Sequence, residues 1–307
     1  MKVFLAKFLI TLFIAANCSS VFAQSPKISA SEKTEQKPKT KSESEQSPSI
    51  LDQRVEIERN TRFKPYVLTP HKPNYIMPYT YNFKPNLEPF VSTPDVTLDN
   101  EEIKFQFSIK FPIVENLFGE SGTFYFAYTN LSFWQAYNSS SSPFRETNHE
   151  PELFITVPND WEFFGFKNRI NMIGAVHQSN GRGGSLSRSW NRVYVDFIFE
   201  RDNFYFSLKP WLRLSDTGTD DNPDIEDFLG HGEFRMVYAT GKHTVSLMAR
   251  NNFKADNKGA LELNYSYPMS RRAKWFVQAF DGYGESLLDY NARSKRIGIG
   301  IALTDWL

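Results

Sequence analysis

One short segment of the sequence combines two side chains that could carry out nucleophilic catalysis. Of the five histidines, only His177 has a serine two residues further on, Ser179. Positions i and i+2 of a strand point to the same face, so the imidazole and the hydroxyl would lie side by side. A neutral imidazole within hydrogen-bond reach of a serine hydroxyl is the minimum for an activated nucleophile. The pair alone is a weak signal, because a coincidental polar pair would look the same.

A third candidate side chain, Asn191, lies on the strand that the sequence predicts next. From residue 189 the odd positions are largely apolar and the even positions largely polar, which places Asn191 at the end of an apolar face. The loop 180–188, with three glycines, would join two antiparallel strands and bring Asn191 near His177. The asparagine could then accept the imidazole N–H and leave the other ring nitrogen free for the Ser179 proton, as an aspartate does in the usual triad. Without a negative charge it should contribute less than an aspartate.

The apolar surroundings of this trio restrict what it could act on. If the strands belong to a membrane barrel, their apolar face contacts lipid. A catalytic site on that face makes sense only if the substrate is the membrane lipid itself. Hydrogen-bonded residues at the barrel rim, without any chemistry, are the alternative that this geometry leaves open.

The elements that would position the trio are predicted to be strands. Residues 103–111 alternate strictly between apolar and polar types, and similar alternation recurs at 204–214 and 297–303. A period of two gives a strand one apolar and one polar face. Polar loops such as 216–224 and 255–259 separate these stretches. The pattern fits a soluble β-sandwich as well as a transmembrane β-barrel.

The N-terminus favours the barrel. Residues 1–23 are typical of a secretory signal, with lysines before an apolar stretch and a small-residue cleavage site that ends at Ala23. A lipoprotein role for Cys18, the only cysteine, is the alternative. Cleavage after Ala23 would leave a mature chain without disulfides or cysteine-ligated metal sites. An exported chain with aromatic residues near the ends of strands about ten residues long is typical of a small outer-membrane barrel.

Three further regions are expected after the signal. Residues 24–48 consist of Ser, Lys, Glu, Gln and Pro with almost no apolar content, which predicts a disordered linker. Residues 49–100 contain many scattered prolines and aromatic residues and are expected to form an irregular segment. Residues 101–307 are expected to form an antiparallel barrel of twelve strands, an even number that suits this length.

Composition excludes two classes of protein. The 35 Lys and Arg residues balance 35 Asp and Glu residues, so the chain lacks the basic surplus that broad capture of nucleic acid requires. After the N-terminus no apolar run is long enough to span a bilayer as a helix, which excludes a helical membrane protein. The mean hydropathy of −0.46 is compatible with a barrel, because alternating strands average to a polar value.

Several strings of residues, in the same order along the chain, resemble the signature of the outer-membrane phospholipase A family of Gram-negative bacteria. The likeness covers roughly residues 100–307. The strings are SSPFRETN (141–148), HQSNGR (177–182), SRSWNR (187–192), KPW (209–211), DDNPD (220–224) and GYGESL (282–287).

This resemblance implies a calcium-dependent enzyme of the outer membrane that is active as a homodimer. It implies a twelve-stranded barrel whose triad is Ser179, His177 and Asn191, acting on sn-1 and sn-2 acyl esters of phospholipids and lysophospholipids. The Gly181 backbone N–H would be one oxyanion donor, and a calcium-bound water would supply the rest. The resemblance further implies three oxygen ligands for Ca²⁺, namely the Arg182 carbonyl, the Ser187 hydroxyl and the partner's Ser141 carbonyl, which suit a hard cation.

Two positions depart from the family pattern. Gly184 stands near the place where the family commonly carries an acidic residue, so we expect lower charge at the calcium site, with Asp221 in the neighbouring loop as the candidate that compensates. Asn130 matches the glutamine of the family's dimer interface, and its shorter side chain predicts a weaker dimer contact.

Two alternative functions remain open at the level of sequence. A passive pore or structural barrel would suit the inward-facing basic residues expected at Lys104, Lys110, Lys209 and Arg213, although side chains of this size would fill a twelve-stranded lumen. An outer-membrane protease would need acidic and histidine residues clustered on outer loops, and only His177 is placed for catalysis.

Overall fold

A computed structural model of the protein describes residues 48–62, 64, 67–91, 96–215 and 220–306. The expected signal at 1–23, with Cys18, lies outside these residues, as does all of the expected linker except its last residue. Among the described residues, no helix is long and apolar enough to cross a membrane.

Twelve long strands make up the fold of the described chain. In chain order they are β1 (Asn74–Asn82), β2 (Glu101–Phe118), β3 (Ser121–Trp134), β4 (Phe144–Pro158), β5 (Phe166–Ser179), β6 (Ser189–Arg201), β7 (Phe204–Leu214), β8 (Gly232–Thr240), β9 (His243–Asn251), β10 (Gly259–Pro268), β11 (Lys274–Tyr283) and β12 (Arg293–Thr304). Two strands of two residues, Thr69–Pro70 and Glu162–Phe163, extend the sheet beside β2 and β5.

These strands close into an antiparallel barrel, as the sequence predicts. Each of the strands β2 to β11 pairs with the next long strand in the chain. β1 pairs on one side with β2 and on the other with β12, which completes the ring. Closure leaves no free edge among the long strands, so the backbone hydrogen bonds of the wall are satisfied within the sheet.

The period of two along each strand separates the outer wall from the interior. On β2, Glu102, Lys104 and Ser108 are buried in the interior, whereas Phe107 and Phe111 are exposed on the outside. On β12, Ile297, Ile299 and Leu303 are exposed between buried residues of the interior. The apolar residues therefore form the outer wall, the arrangement that a lipid-facing barrel requires.

The segment expected to be irregular, 49–100, is more regular than its composition indicates. It contains a helix, α1 (Ile50–Thr61), a 3₁₀ turn (Glu88–Phe90) and strand β1, without which the barrel would not close. The barrel therefore begins at residue 74 and not at 101, so the expected boundary is wrong. The sequence did not predict this strand because it contains Pro78, and proline normally argues against a strand. In the structure Pro78 lies at a β-bulge in the pairing of β1 with each of its two neighbours.

Helix α1 covers one end of the barrel interior. Its N-terminus is capped by Ser49, whose hydroxyl accepts the Asp52 N–H at 3.0 Å. Leu51 packs on the interior residues Tyr205 and Val237, and Glu58 forms an ion pair with Lys110 of β2 at 2.7 Å.

Buried ion pairs fill much of the remaining interior. Arg145 donates to Glu102 at 2.6 Å, Lys104 pairs with Glu285 at 2.9 Å, and Arg296 contacts both carboxylates. A cavity of about 360 Å³ remains between these charges and α1. In the described part of the chain, side chains thus fill most of the interior, unlike the wide lumen of larger barrels.

Candidate active site

The pairing of β5 with β6 brings His177 and Asn191 together on the outer wall. The two residues are directly opposite each other in the antiparallel register. His177 Nδ1 lies 2.9 Å from Asn191 Oδ1. Because the amide oxygen can only accept, the proton sits on Nδ1 and Nε2 is left as an acceptor. His177 is exposed and Asn191 is half-buried, so the pair faces outward from the barrel.

Ser179 ends β5, two residues after His177 and on the same face of the strand. The residue is half-buried, and its hydroxyl makes no hydrogen bond to any residue that the structure describes. The imidazole acceptor and the hydroxyl are thus neighbours that are not yet joined by a hydrogen bond. Such contacts are often long in the absence of substrate and shorten when it binds.

The loop after Ser179 is held in shape by Asn180, a residue that the sequence did not single out. Its buried side chain accepts the Arg188 N–H at 3.0 Å and donates to the Leu186 carbonyl at 2.8 Å. Asn180 therefore closes the loop 181–187 on itself with side-chain hydrogen bonds. Asparagine commonly stabilises turns in this way, so its position at the start of a glycine-rich loop is the one sequence feature that points to this role.

Glycines provide the backbone conformation of this loop. Gly181 has φ +63° and Gly184 has φ +62°, in the left-handed region that side chains disfavour. Gly184 begins a 3₁₀ turn, Gly184–Leu186, that leads to Ser187. A side chain at 184 would be strained in this conformation, which gives a structural reason for glycine at this position.

A carboxylate approaches the loop from a neighbouring segment. Ser187 Oγ donates to Asp221 Oδ2 at 2.6 Å, and the Ser189 N–H donates to Asn222 Oδ1 at 3.0 Å. The 220–224 segment is itself held by Tyr290, whose hydroxyl donates to Asp224 at 2.6 Å. Burial, reinforced by the hydrogen bond to Asp224, raises the pKa of Tyr290, so the phenol stays a donor near neutral pH.

Arg182 connects the loop to the start of β4. Its guanidinium donates to the carbonyls of Phe144 and Arg145, at 3.0 and 2.6 Å. Ser141 lies three residues before Phe144 on an exposed loop, where its N–H points to Asn138 Oδ1 at 3.4 Å. Arg182, Ser187 and Asp221 therefore belong to one surface region of the chain, and Ser141 lies exposed on the loop that leads to the Arg182 contacts.

The donor set of this region consists of oxygen atoms. No group of three or more His, Cys, Asp or Glu residues suited to a metal occurs in the described ranges. A site here would therefore use hydroxyl and carbonyl oxygens together with one carboxylate. Such a set fits a hard cation such as Ca²⁺ far better than a transition metal.

Asn130 lies on β3 in the outward row that also contains Tyr128. Its Oδ1 accepts the Ser132 hydroxyl at 3.0 Å. Its cross-strand neighbours are Phe107 on β2 and His149 on β4. The amide is therefore a polar group in a predominantly apolar part of the outer wall, and it adjoins the site through His149.

The chain is similar in sequence to known phospholipases. A family model described as Phospholipase A1 matches residues 51–303. The phospholipase A1 of Escherichia coli K12 is 38% identical over 243 residues, which cover 78% of this chain and 83% of that protein.

Solved structures show the same fold. The outer membrane phospholipase A from Escherichia coli matches with a TM-score of 0.75 and 37% identity, over 79% of this chain and 100% of that one. The Salmonella typhi outer membrane phospholipase dimer with bound calcium matches with a TM-score of 0.75 and 38% identity, over 79% and 94% of the two chains.

Proposed function

This chain belongs to the phospholipase A1 family, and we propose that it hydrolyses acyl esters of membrane phospholipids with Ser179, His177 and Asn191. The barrel is an outer-membrane barrel and its activity is that of a phospholipase. The observation that carries the proposal is the outward-facing contact between His177 Nδ1 and Asn191 Oδ1 at 2.9 Å, next to Ser179. Acyl chains in the bilayer can reach this face of the wall directly.

The reaction begins with a proton transfer from Ser179 Oγ to His177 Nε2. The serine oxygen attacks the ester carbonyl, and the alcohol of the lipid leaves with the proton that His177 returns. Water then attacks the acyl-enzyme while His177 accepts its proton; His177 returns this proton to Ser179 Oγ as the bond to the acyl group breaks and the fatty acid is released. Asn191 holds the imidazole in the tautomer that this sequence of transfers requires.

The Gly181 N–H is the proposed backbone donor for the oxyanion. Gly181 follows Ser179 by two residues and is exposed at the start of the loop that Asn180 closes. A donor that the fold holds in place costs no reorganisation during the reaction, which is the main source of stabilisation in such sites.

Calcium is the proposed cofactor, held by the Arg182 carbonyl, the Ser187 hydroxyl and the partner's Ser141 carbonyl, with Asp221 as the nearby carboxylate. When bound, the ion supplies positive charge that stabilises the developing oxyanion. The contact of Ser187 with Asp221 at 2.6 Å supports this assignment, because it places a hydroxyl and a carboxylate at one point of the loop. Asp221 thereby replaces the acidic residue that Gly184 does not provide.

A homodimer is the proposed active form. The calcium-bound Salmonella typhi relative is a dimer, and the proposed ligand set is incomplete within one chain. Asn130, on the outer wall beside the site, is the proposed polar contact between the two copies. We propose that the substrates are phospholipids, such as phosphatidylcholine, and lysophospholipids. Both the sn-1 and the sn-2 esters are expected to be cleaved.

Fatty-acid release from mixed micelles of phospholipid and detergent tests the proposal directly. Wild-type protein with Ca²⁺ should release fatty acid from positions 1 and 2 of a phosphatidylcholine that is labelled differently at each. Release from neither position under these conditions would overturn the proposed function.

Asn191→Ala should leave a measurable fraction of the activity, with kcat lowered about 10- to 100-fold. The loss is expected to be smaller than the roughly 10⁴-fold effect of disabling the aspartate of a charged triad, because the neutral amide orients the ring without stabilising its charge. Steady-state kinetics on a thioester lipid measure this. Asn191→Asp, which keeps the acceptor, is the control and should retain most of the activity. Equal and complete loss in both variants would contradict an orienting role.

A passive pore is the second candidate function, and the filled interior of the barrel argues against it. Because buried ion pairs and α1 occupy the lumen, we expect a single-channel conductance below about a tenth of that of a sixteen-stranded porin under the same conditions. Planar-bilayer recordings of the purified protein, with a porin as positive control, measure this. A stable open conductance of porin size would contradict a filled barrel.

A further inference from the structure

We propose that His149 is a further substrate-binding residue of this site, whose Nε2–H donates to the carbonyl oxygen of the ester that Ser179 attacks. This inference rests on the proposed function and adds a side-chain donor to the backbone donor at Gly181. His149 is not part of the triad and lies on the other side of Ser179 from Asn191.

His149 is the direct cross-strand neighbour of Ser179. β4 pairs with β5 so that these two residues are opposite each other. Side chains at such positions lie on one face, with Cβ atoms roughly 4.5–5.5 Å apart. Ser179 therefore has a histidine on either side, His177 along its own strand and His149 across the sheet.

The tautomer of His149 is fixed by Tyr128 of β3. The Tyr128 hydroxyl lies 2.7 Å from His149 Nδ1, and the two rings are stacked with centroids 6.2 Å apart. A phenol is a better donor than acceptor, so the Tyr128 O–H donates a hydrogen bond to Nδ1 and Nε2 carries the ring N–H. His149 is thus a hydrogen-bond donor at its Nε2. His177, whose Nδ1–H donates to Asn191 Oδ1, is instead an acceptor at its Nε2.

The Nε2–H of His149 is available and points towards the oxyanion region. It makes no hydrogen bond to any other residue in the described part of the chain, and the side chain is only half-buried. A Cβ placed on Gly181 would lie 3.7 Å from His149 Nε2 and 3.7 Å from its Cδ2. The free edge of the imidazole therefore faces Gly181, the residue proposed to stabilise the oxyanion.

The two histidines consequently have complementary roles. His177 exchanges the proton of Ser179, while His149 keeps its Nε2 proton and only donates a hydrogen bond. The hydrogen bond from the His149 N–H to the ester carbonyl becomes stronger as the carbonyl oxygen becomes negative in the transition state. Loss of this donor should therefore lower kcat and change KM little.

His149→Phe, which keeps a ring of similar size and removes the donor, tests the proposal. We expect kcat on a micellar thioester lipid to fall about 10- to 100-fold, somewhat less than the loss of a sole oxyanion donor, with KM changed less than about 2-fold. His149→Gln restores an N–H and should recover at least part of the loss. Tyr128→Phe removes the group that fixes the tautomer and should lower kcat by a smaller factor.

His243 provides a matched control on the same barrel. Its Nδ1 lies 2.9 Å from the Tyr265 hydroxyl, on the distant strands β9 and β10. His243→Phe and Tyr265→Phe remove the same kind of pair without touching the site, and both should leave kcat unchanged.

Three outcomes would overturn the proposal. The first is an unchanged kcat in His149→Phe; the second is an equal loss in His149→Phe and His243→Phe. The third is a loss in His149→Phe that accompanies loss of chemical crosslinking between copies, since His149 also adjoins Asn130. If Ser179→Ala is inactive in the same assays while His149→Phe is fully active, this inference fails and the proposed function stands. If Ser179→Ala is active, the proposed function itself fails.

Discussion

Ser179→Ala is expected to lower fatty-acid release by at least about 10⁴-fold, leaving only the residual rate that substrate binding and the oxyanion donor sustain. The substitution removes the only oxygen of the trio that can form an acyl-enzyme, while the backbone of β5 and its pairing with β6 stay intact. His177→Ala should have a similar effect, because an unassisted serine hydroxyl is a weak nucleophile near neutral pH. Release of labelled fatty acid from mixed micelles, in the presence of Ca²⁺, measures both.

The double variant distinguishes a cooperating unit from two independent losses. Groups that act in one proton transfer are strongly non-additive, so Ser179→Ala combined with His177→Ala should be no less active than either single variant. Ser189→Ala is a suitable control, since Ser189 is the cross-strand neighbour of Ser179 on β6 and has no proposed role. It should keep activity within about 2-fold of wild type. Wild-type rates in Ser179→Ala would show that another residue is the nucleophile.

Removal of calcium with EDTA is expected to abolish activity, and added Ca²⁺ should restore it together with crosslinking of the dimer. The physical reason is that the proposed site draws oxygens from two chains, so that metal binding and association stabilise each other. Mg²⁺ should restore activity poorly, because it requires a tighter octahedral geometry than a loop of carbonyl and hydroxyl oxygens provides.

Substitutions in the loop should alter the calcium requirement in a graded way. Ser187→Ala removes a proposed ligand and should raise the Ca²⁺ concentration for half-maximal activity by at least about 10-fold. Asp221→Asn should raise it by a smaller factor, since it removes the charge beside that ligand. Asp256→Asn, at an exposed carboxylate paired with Lys258, should leave it unchanged. Full activity of a chelated, strictly monomeric sample would contradict the coupling of calcium to dimerisation.

The barrel architecture could be read from the sequence because it depends on a local rule. In strands such as 103–111 and 297–303 the large apolar residues lie on the outer wall, as strict alternation predicts. The proximity of His177 and Asn191 also followed from local information, since one loop joins two strands whose register places them opposite each other.

The features that the sequence missed depend on contacts between distant segments. Strand β1 contains Pro78, and only its bulged pairing with β2 and β12 makes the proline compatible with a strand. Helix α1 is stabilised by its packing on the barrel interior and by the ion pair of Glu58 with Lys110. His149 could be associated with Ser179 only after the register of β4 and β5 was known.

The most direct test of the central claim is to identify the residue that a lipid-like acylation mimic modifies. A long-chain alkyl fluorophosphonate in detergent micelles with Ca²⁺ should form a single adduct on Ser179, located by mass spectrometry of the digested protein. The adduct should be absent in His177→Ala and should form more slowly in Asn191→Ala. An adduct on a different residue, or equal labelling of wild type and His177→Ala, would contradict a serine nucleophile activated by histidine on the outer wall.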